Sequence, residues 1–312
     1  MIAFVFPGQG SQSVGMGKEF YEIFPVAREV FQEVDDVLKQ NLTKVILEGP
    51  EGDLLLTQNT QPALMTVSLA ILRVLEKEGN FSITEKTSYV AGHSLGEYSA
   101  YAAVGTFSLA DTARLLRTRG QAMQNAVPVG KGAMAALLGG DLPLAQEISL
   151  EAAQGDVCEI ANDNSPGQVV LSGHKAAIER AIEIAKQKGI KRAVILPVSA
   201  PFHSSLMQPA AKVMEEAFKQ VQIQKPALPV IANVLAEEVE DFSIIPSLLV
   251  QQVTDRVRWR ESMLCLKSKN VQKVVEIGAG KVLSGLAKRI DEGFEATNIS
   301  TPQEMESFLK SF

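Results

Sequence analysis

The sequence predicts an α/β protein whose mainly parallel sheet is interrupted by a small α+β domain. Three observations carry this. Short apolar runs stopped by Gly or Pro, such as "IAFVF" (2–6) before Pro7-Gly8, read as buried strands. Segments with helical periodicity separate these runs, the alternation expected of a parallel sheet covered by helices. Between residues 128 and 197 the order changes to strand–helix–strand–strand–helix–strand, the ferredoxin-like pattern.

Composition sets the outer limits. The chain has 312 residues, enough for about two domains. With 46% hydrophobic and 21% charged residues it can bury a sizeable core. The net charge of −6 argues against nucleic-acid binding. Cys158 and Cys265 form no CxxC and read as reduced thiols of a cytoplasmic protein. The start, "MIAFVFPGQG", lacks the basic region of a signal peptide. No uncharged apolar stretch approaches the ~18 residues of a membrane span.

After the first strand, residues 61–77 form a helix opened by Pro62 at its first position, with Leu64, Val67, Ile71 and Leu75 on one face. A strand at 87–91 runs into a helix at 96–105, and 109–126 is another helix. The small domain takes strands at 132–139, 157–162, 168–173 and 192–199 and helices at 142–154 and 175–189, with "DNSPG" as a turn. Beyond it come a helix near 204–220, a strand at 228–233, helical segments around 246–269 and a strand at 271–280 entering a glycine turn. Residues 1–127 and 198–312 then form the large domain, and 128–197 the insertion.

Two glycine loops imitate nucleotide motifs and fail. "GQGSQS" (8–13) places Ser13 at the third glycine position of a dinucleotide fingerprint, and "GAGKVLSG" (278–285) has the wrong spacing. Both loops still offer backbone N–H groups near strand ends, where open α/β sheets bind ligands.

"GHSLG" (92–96) matches G-x-S-x-G in a strand–turn–helix context. The glycines permit a sharp turn that lifts Ser94 from the sheet, and the N–H of Leu95 at the helix start can face a developing oxyanion. The plain alternative is a turn serine. A base is needed, and there are three histidines. His174 opens a helix of the insertion and reads as a surface residue. His93 projects to the other side of the turn and reads as support. His203 directly follows the strand 192–199, where an active-site loop belongs, and is the candidate base. Asp255 and Glu276 are candidate orienters by location only, and a carbonyl oxygen can hold the imidazole N–H equally well.

Arg119 is the most informative single residue. Its helical neighbours are Leu115, Leu116, Ala122 and Met123, so a guanidinium sits on an apolar face without Asp or Glu at helical spacing. Either a distant carboxylate or snorkelling satisfies it, or it awaits a substrate carboxylate. Arg117, beside Arg114 and Gln121, reads as solvated.

Taken together, "FVFPGQGSQ" (4–12), "TQPAL" (60–64), "GHSLGEYSA" (92–100), "RG" (119–120), "NSPGQVV" (164–170), "PVSAPFH" (197–203), "QQVTDRVRW" (251–259) and "EIGAGKVLSGL" (276–286) resemble the malonyl-coenzyme A:acyl carrier protein transacylases of type II fatty-acid synthesis. The stretches run in the family's order and span nearly the whole chain. The resemblance implies a hydrolase-like α/β domain with a ferredoxin-like insertion, and a cytoplasmic acyltransferase. It would move malonyl from malonyl-coenzyme A to holo acyl carrier protein without metal, cofactor, nucleic acid or membrane. It implies Ser94 as nucleophile, His203 as base, and the backbone N–H groups of Gln9 and Leu95 as oxyanion hole. Arg119 would grip the malonyl carboxylate, and the Gln252 backbone carbonyl would orient the histidine. By the same resemblance, Phe202, in the "APFH" stretch that varies among acyltransferases, would bear on acyl selectivity. Two basic clusters, Lys186/Lys188/Lys191/Arg192 and Arg256/Arg258/Arg260, are candidate contacts for an acidic carrier. A malonyltransferase of polyketide synthesis and a serine esterase or thioesterase are the alternatives; a glycine-loop binding module would leave Ser94 and His203 without a task.

Overall fold

A computed structural model of the chain describes residues 1–198 and 200–311. The large sheet is five-stranded and entirely parallel, in the order β7-β2-β1-β8-β9. The strands are β1 (Ile2–Phe6), β2 (Tyr89–Gly92), β3 (Gly132–Leu138), β4 (Cys158–Ser165), β5 (Gln168–His174), β6 (Arg192–Ile195), β7 (Val230–Ile231), β8 (Lys273–Ile277) and β9 (Glu295–Ile299). The second sheet is antiparallel, in the order β4-β5-β3-β6, with helices Leu142–Ala153 and Lys175–Gln187 as its crossovers. That is the ferredoxin-like order expected of the middle segment.

Side-chain alternation assigns each strand its layers. In β1, Phe4 and Phe6 join the main core while Ala3 and Val5 join the core on the opposite face, so the strand is apolar throughout. In β3, Ala133, Ala135 and Leu137 pack with the two crossover helices. The intervening Met134 and Ala136 face the main core. The small sheet therefore has its own core on one face and walls the central cleft with the other.

Several boundaries differ from the expectation. The helix expected at 61–77 is Thr57–Lys77, so Pro62 lies inside it rather than at its first position. Leu56 supplies the start, its carbonyl accepting from Asn59 and Thr60. The "DNSPG" stretch is not all turn: β4 continues through Ser165, and Pro166-Gly167 alone reverses the chain. Two register irregularities in β4 let Asp163 and Asn164 stay in the strand while their side chains bond elsewhere. The strand expected at 192–199 ends at Ile195; Leu196 still donates to the Met134 carbonyl, but Pro197 has no N–H to extend the ladder. Ser199 lies outside the described residues. The strand expected at 228–233 is only Val230–Ile231. The helices Lys18–Ile23, Pro25–Leu38, Leu42–Glu48, Glu51–Leu55 and Ile83–Lys86, the helix Val282–Ile290, strand β9 and the last helix, Pro302–Leu309, complete the fold beyond the elements expected.

Helix Leu109–Asn125, which carries Arg119, packs closely on helix Thr57–Lys77 at Gly120. An added Cβ there would lie 2.6 Å from both the Gln58 Cα and the Thr57 carbonyl oxygen. Backbone cannot yield as a flexible side chain does. Gly120→Ala should destabilise the fold by roughly 1–3 kcal/mol through overpacking. A urea midpoint unchanged from the unaltered protein would show that the two helices separate freely.

Candidate active site

The site lies at the carboxyl ends of β1, β2, β7 and β8, the edge where an open parallel sheet gathers its loops. β2 ends at Gly92, and the chain turns through His93 and Ser94 into helix Leu95–Ala103. Ser94 holds φ 54° and ψ −112°, a left-handed conformation that costs a non-glycine residue about 1–3 kcal/mol. The glycines around it let the turn close: a Cβ on Gly92 would lie 1.9 Å from the Gly96 carbonyl oxygen, and one on Gly96 would lie 2.2 Å from that of Phe6. Asn233, just beyond β7, pins the turn. Its Oδ1 accepts from the Ser94 N–H at 2.8 Å and its Nδ2 donates to the Gly92 carbonyl at 2.7 Å.

Ser94 Oγ lies 2.7 Å from His203 Nε2. His203 also has a positive φ, 56°. Its Nδ1 donates to the Gln252 backbone carbonyl at 2.8 Å and approaches that of Asp255 at 3.2 Å. With Nδ1 protonated, Nε2 carries the lone pair and accepts from the serine hydroxyl. Burial, together with the Arg119 charge, pushes the His203 imidazole down to about 3, so it stands neutral at physiological pH.

Arg119 reaches the same oxygen. Its Nη2 donates to Ser94 Oγ at 3.2 Å and to Gln252 Oε1 at 2.8 Å, and its Nη1 donates to Gln61 Oε1 at 2.9 Å. The guanidinium is 1% exposed and stands 5.5 Å from the centre of the Tyr98 ring. Among the described residues it makes no ion pair. Gln252 is the hub: its backbone carbonyl holds the histidine, its Oε1 holds the arginine, and its Nε2 donates to the Ser94 carbonyl at 3.0 Å and to Glu97 Oε2 at 2.6 Å.

Gln9, Leu95, Ser94, His203 and Arg119 all line one cavity of about 280 Å³, with Met134 and Ala136 on the side of the small sheet. Among the described residues, the backbone N–H groups of Gln9 and Leu95 have no hydrogen-bond acceptor. That of Leu95 opens a helix and carries its partial positive charge. His93 and its partner Asn164 line the same cavity, but the His93 ring is engaged elsewhere than with Ser94 Oγ: its Nε2 bonds Asn164 Oδ1 at 2.8 Å, it lies 5.5 Å from the ring of Trp259, and burial holds its imidazole below the usual range.

Other candidates stay outside this constellation. The Asp255 carboxylate bonds Gln251 and Thr254, and that of Glu276 accepts from the Ser284 N–H; neither orients His203. His174 stands at the N-cap position of the helix Lys175–Gln187 with no side-chain bond to it, and its Nδ1 accepts from the Val157 N–H. Of the two basic clusters, Lys186 pairs with Glu183, Lys188 with Glu147 and Glu151, Arg256 and Arg258 with Glu261, and Arg260 with Asp163. Among the described residues, Lys191 and Arg192 have no carboxylate partner. Arg117 is not solvated: it is half-buried against Asn59, and its Nε and Nη2 are enclosed. Among the described residues no group of His, Cys, Asp and Glu could hold a metal ion, and no helix is long and apolar enough to cross a membrane.

Gln61, Glu97, Asn164 and Asn233 are site residues that motif reasoning does not single out. Two carry usable signals: Glu97 is an acid in an otherwise small and apolar helix start, and Asn233 is a polar residue at the carboxyl end of a short apolar run.

The acyl transferase domain family matches residues 3–302. The malonyl CoA-acyl carrier protein transacylase of Bacillus subtilis is 44% identical over 311 residues, covering 99% of this chain and 96% of that protein. That of Escherichia coli K12 is 42% identical, covering 99% of each. The acyl-carrier-protein S-malonyltransferase of Bartonella henselae superposes with a TM-score of 0.97 at 55% identity, covering 99% of this chain and 98% of that one. A malonyl-transacylase solved in complex with its type II PKS acyl carrier protein superposes with a TM-score of 0.96 at 40% identity, covering 100% and 99%. With a serine–histidine pair and a buried arginine meeting at one oxygen, and with likeness of this extent over its whole length, the chain belongs to the malonyl CoA-acyl carrier protein transacylase family.

Proposed function

We propose that the protein transfers malonyl from malonyl-coenzyme A to the phosphopantetheine thiol of holo acyl carrier protein, for fatty-acid synthesis in the cytoplasm. The observation that carries this is the meeting of Ser94 Oγ with His203 at 2.7 Å and with Arg119 at 3.2 Å. A nucleophile beside a buried cation suits an acyl group that ends in a carboxylate.

The donors and acceptors present dictate the steps. Ser94 Oγ attacks the thioester carbonyl while His203 Nε2 takes its proton. The N–H groups of Gln9 and Leu95 stabilise the oxyanion. The intermediate collapses, the C–S bond breaks, and coenzyme A leaves with the proton from His203. The carrier thiol then gives its proton to His203 and attacks the malonyl ester; in the second collapse the acyl C–Oγ bond breaks and His203 Nε2 returns the proton to Ser94 Oγ. The transfer is ping-pong and redox-neutral. The residues 128–197 act in this scheme as an inserted domain on the larger one formed by 1–127 and 198–312, and the face of β3 toward the cleft supports that division.

Arg119 has five N–H donors, of which one goes to Gln61, one to Gln252 and one to Ser94 Oγ. Acylation of Ser94 frees the third. The arginine can then meet the malonyl carboxylate with two donors while the amides keep it in place. An esterase has no use for a buried guanidinium at the nucleophile. A polyketide carrier is the second reading, favoured by the likeness to the transacylase bound to one; transfer rates to the two kinds of carrier separate them.

Intact-mass measurement after mixing with malonyl-coenzyme A should find a malonyl adduct that Ser94→Ala lacks and that moves to holo acyl carrier protein when it is added. An adduct lost to water equally fast without carrier would make the protein a hydrolase. Arg119→Ala should lower malonyl use about 10–100-fold more than acetyl use, the equivalent of roughly 1.5–3 kcal/mol for a lost charge-assisted hydrogen bond. Equal losses for both acyl groups would remove the carboxylate role.

The histidine gives a pH test. Transfer needs neutral His203, so the rate falls as pH drops through its folded pKa, which burial and then Arg119 hold low. Removing the arginine charge removes one of the lowering causes and raises that pKa. The acid limb of acetyl transfer should therefore lie at higher pH in Arg119→Ala than in the unaltered protein. Superimposable acid limbs would mean that the two groups do not interact.

A further inference from the structure

Glu97 is the one carboxyl group in contact with this network among the described residues, and the transfer chemistry makes no use of it. It is 1% exposed, in the first turn of the helix that begins after Ser94. Its Oε2 accepts from Gln252 Nε2 at 2.6 Å and from the Asn233 backbone N–H at 3.1 Å, while its Oε1 has no partner among the described residues. Both partners are themselves holders: Asn233 pins the Ser94 turn, and Gln252 holds Arg119 and His203. Neither Glu97 nor Gln252 is among the residues that line the cavity.

A primary amide has two ends of nearly equal shape and opposite polarity. With its oxygen toward Arg119, Gln252 accepts from the guanidinium. Flipped, it would set an NH₂ against another donor, and the arginine would lose one of its two amide anchors. A carboxylate only accepts, so at 2.6 Å it excludes the flipped state, in which Gln252 Oε1 would face Glu97 Oε2. We propose that Glu97 is a positioning residue whose carboxyl oxygen fixes the Gln252 amide with its oxygen toward Arg119, and so sets the arginine's grip on the malonyl carboxylate. This rests on the malonyl-transfer reading above.

The role survives protonation. Burial raises the Glu97 carboxyl to about 7, against the opposing pull of its hydrogen bonds and of Arg119. Oε2 is occupied by two donors, so a proton goes to the free Oε1 and leaves Oε2 an acceptor. A glutamine at this position can place its carbonyl oxygen in the same way and direct its NH₂ toward the Oε1 side. The Tyr101 hydroxyl, which has no partner among the described residues, feels the Glu97 charge from that helix.

The test is kcat and KM for malonyl- and acetyl-coenzyme A in Glu97→Ala, Glu97→Gln, Gln252→Leu and the Glu97→Ala/Gln252→Leu pair, with the unaltered protein and Arg119→Ala alongside. Glu97→Ala should reduce the malonyl-over-acetyl preference by roughly 10–100-fold, the worth of one charge-assisted hydrogen bond, and Glu97→Gln should restore most of it. Gln252→Leu keeps the backbone carbonyl that holds His203 and should show the same loss of preference, with the pair no worse than Gln252→Leu alone. Equal losses for both acyl groups in Glu97→Ala, or an unchanged preference in Gln252→Leu, would overturn the proposal. If Glu97→Ala does not fold, Glu97→Leu, which fills the same space without an acceptor, takes its place with the same expected loss of preference. If Arg119→Ala keeps the preference, the carboxylate grip itself fails and this inference falls with it. A preference lost in Arg119→Ala but kept in the Glu97 and Gln252 variants removes only the inference.

Discussion

A guanidinium taken out of water without a carboxylate beside it is costly, and much of the structure around Arg119 is organised by that constraint. An ion pair would satisfy the charge and also consume it. Two neutral amide oxygens, from Gln61 and Gln252, hold the fork in place and leave its charge for another partner. Gln61 can reach because helices Thr57–Lys77 and Leu109–Asn125 touch backbone to backbone at Gly120, the residue after the arginine. Gln252 can reach because its own amide is fixed by Glu97 and by the Ser94 carbonyl. The arrangement is therefore tertiary: four separate segments must meet before the charge is tolerable.

How much of this is legible in the sequence depends on the range of the interactions. Strand alternation, helical periodicity and the ferredoxin-like order are local patterns, and they locate most elements of both sheets. Boundaries fail where a neighbouring segment decides. Pro62 stands inside its helix because the first turn begins at Leu56, and Asp163 through Ser165 remain in β4 because β5 pairs with them. The helices Lys18–Ile23, Leu42–Glu48 and Glu51–Leu55 bury one or two residues each and give little periodicity, whereas Pro25–Leu38 carries a helical pattern of its own in Ala27, Val30, Phe31 and Val34. Ser94 and Arg119 stand out for a local reason, a strand–turn–helix signature and a charge on an apolar face. Arg117 defeats the same reasoning, since its helical neighbours cannot reveal that Asn59 of another helix covers it. Asn233 and Gln61 are ordinary polar residues until the fold brings them to the elbow and the arginine.

The serine and histidine are held by backbone geometry as much as by side chains. Both stand at positive φ, a strained state for residues with a Cβ, and each is fixed by neighbours far away in sequence. For the histidine those neighbours are carbonyl oxygens rather than a carboxylate. A carbonyl directs Nδ1–H and fixes the tautomer but adds no full negative charge near the reacting oxygens. A carboxylate there would also offer Arg119 a nearby anion in competition with the substrate. On the proposed reading, the neutral orienter and the neutral amide anchors are two sides of one requirement, that no fixed anion stand between the arginine and the acyl group.

In the transfer proposed above, that requirement ties recognition to proton transfer. Arg119 lowers the proton affinity of His203 when its charge is not offset, which keeps the imidazole neutral and ready to accept. A carboxylate held on the acyl-enzyme offsets that charge at the moment the imidazole must take the carrier thiol's proton, and so stabilises the imidazolium formed in that transition state. An acetyl group brings no such charge and leaves the depressing field in place. Discrimination between the two acyl groups then has a binding part, the hydrogen bonds to the guanidinium, and a chemical part, the basicity of the histidine. The same side chain produces both because its charge lies within hydrogen-bond distance of the nucleophile that the histidine activates.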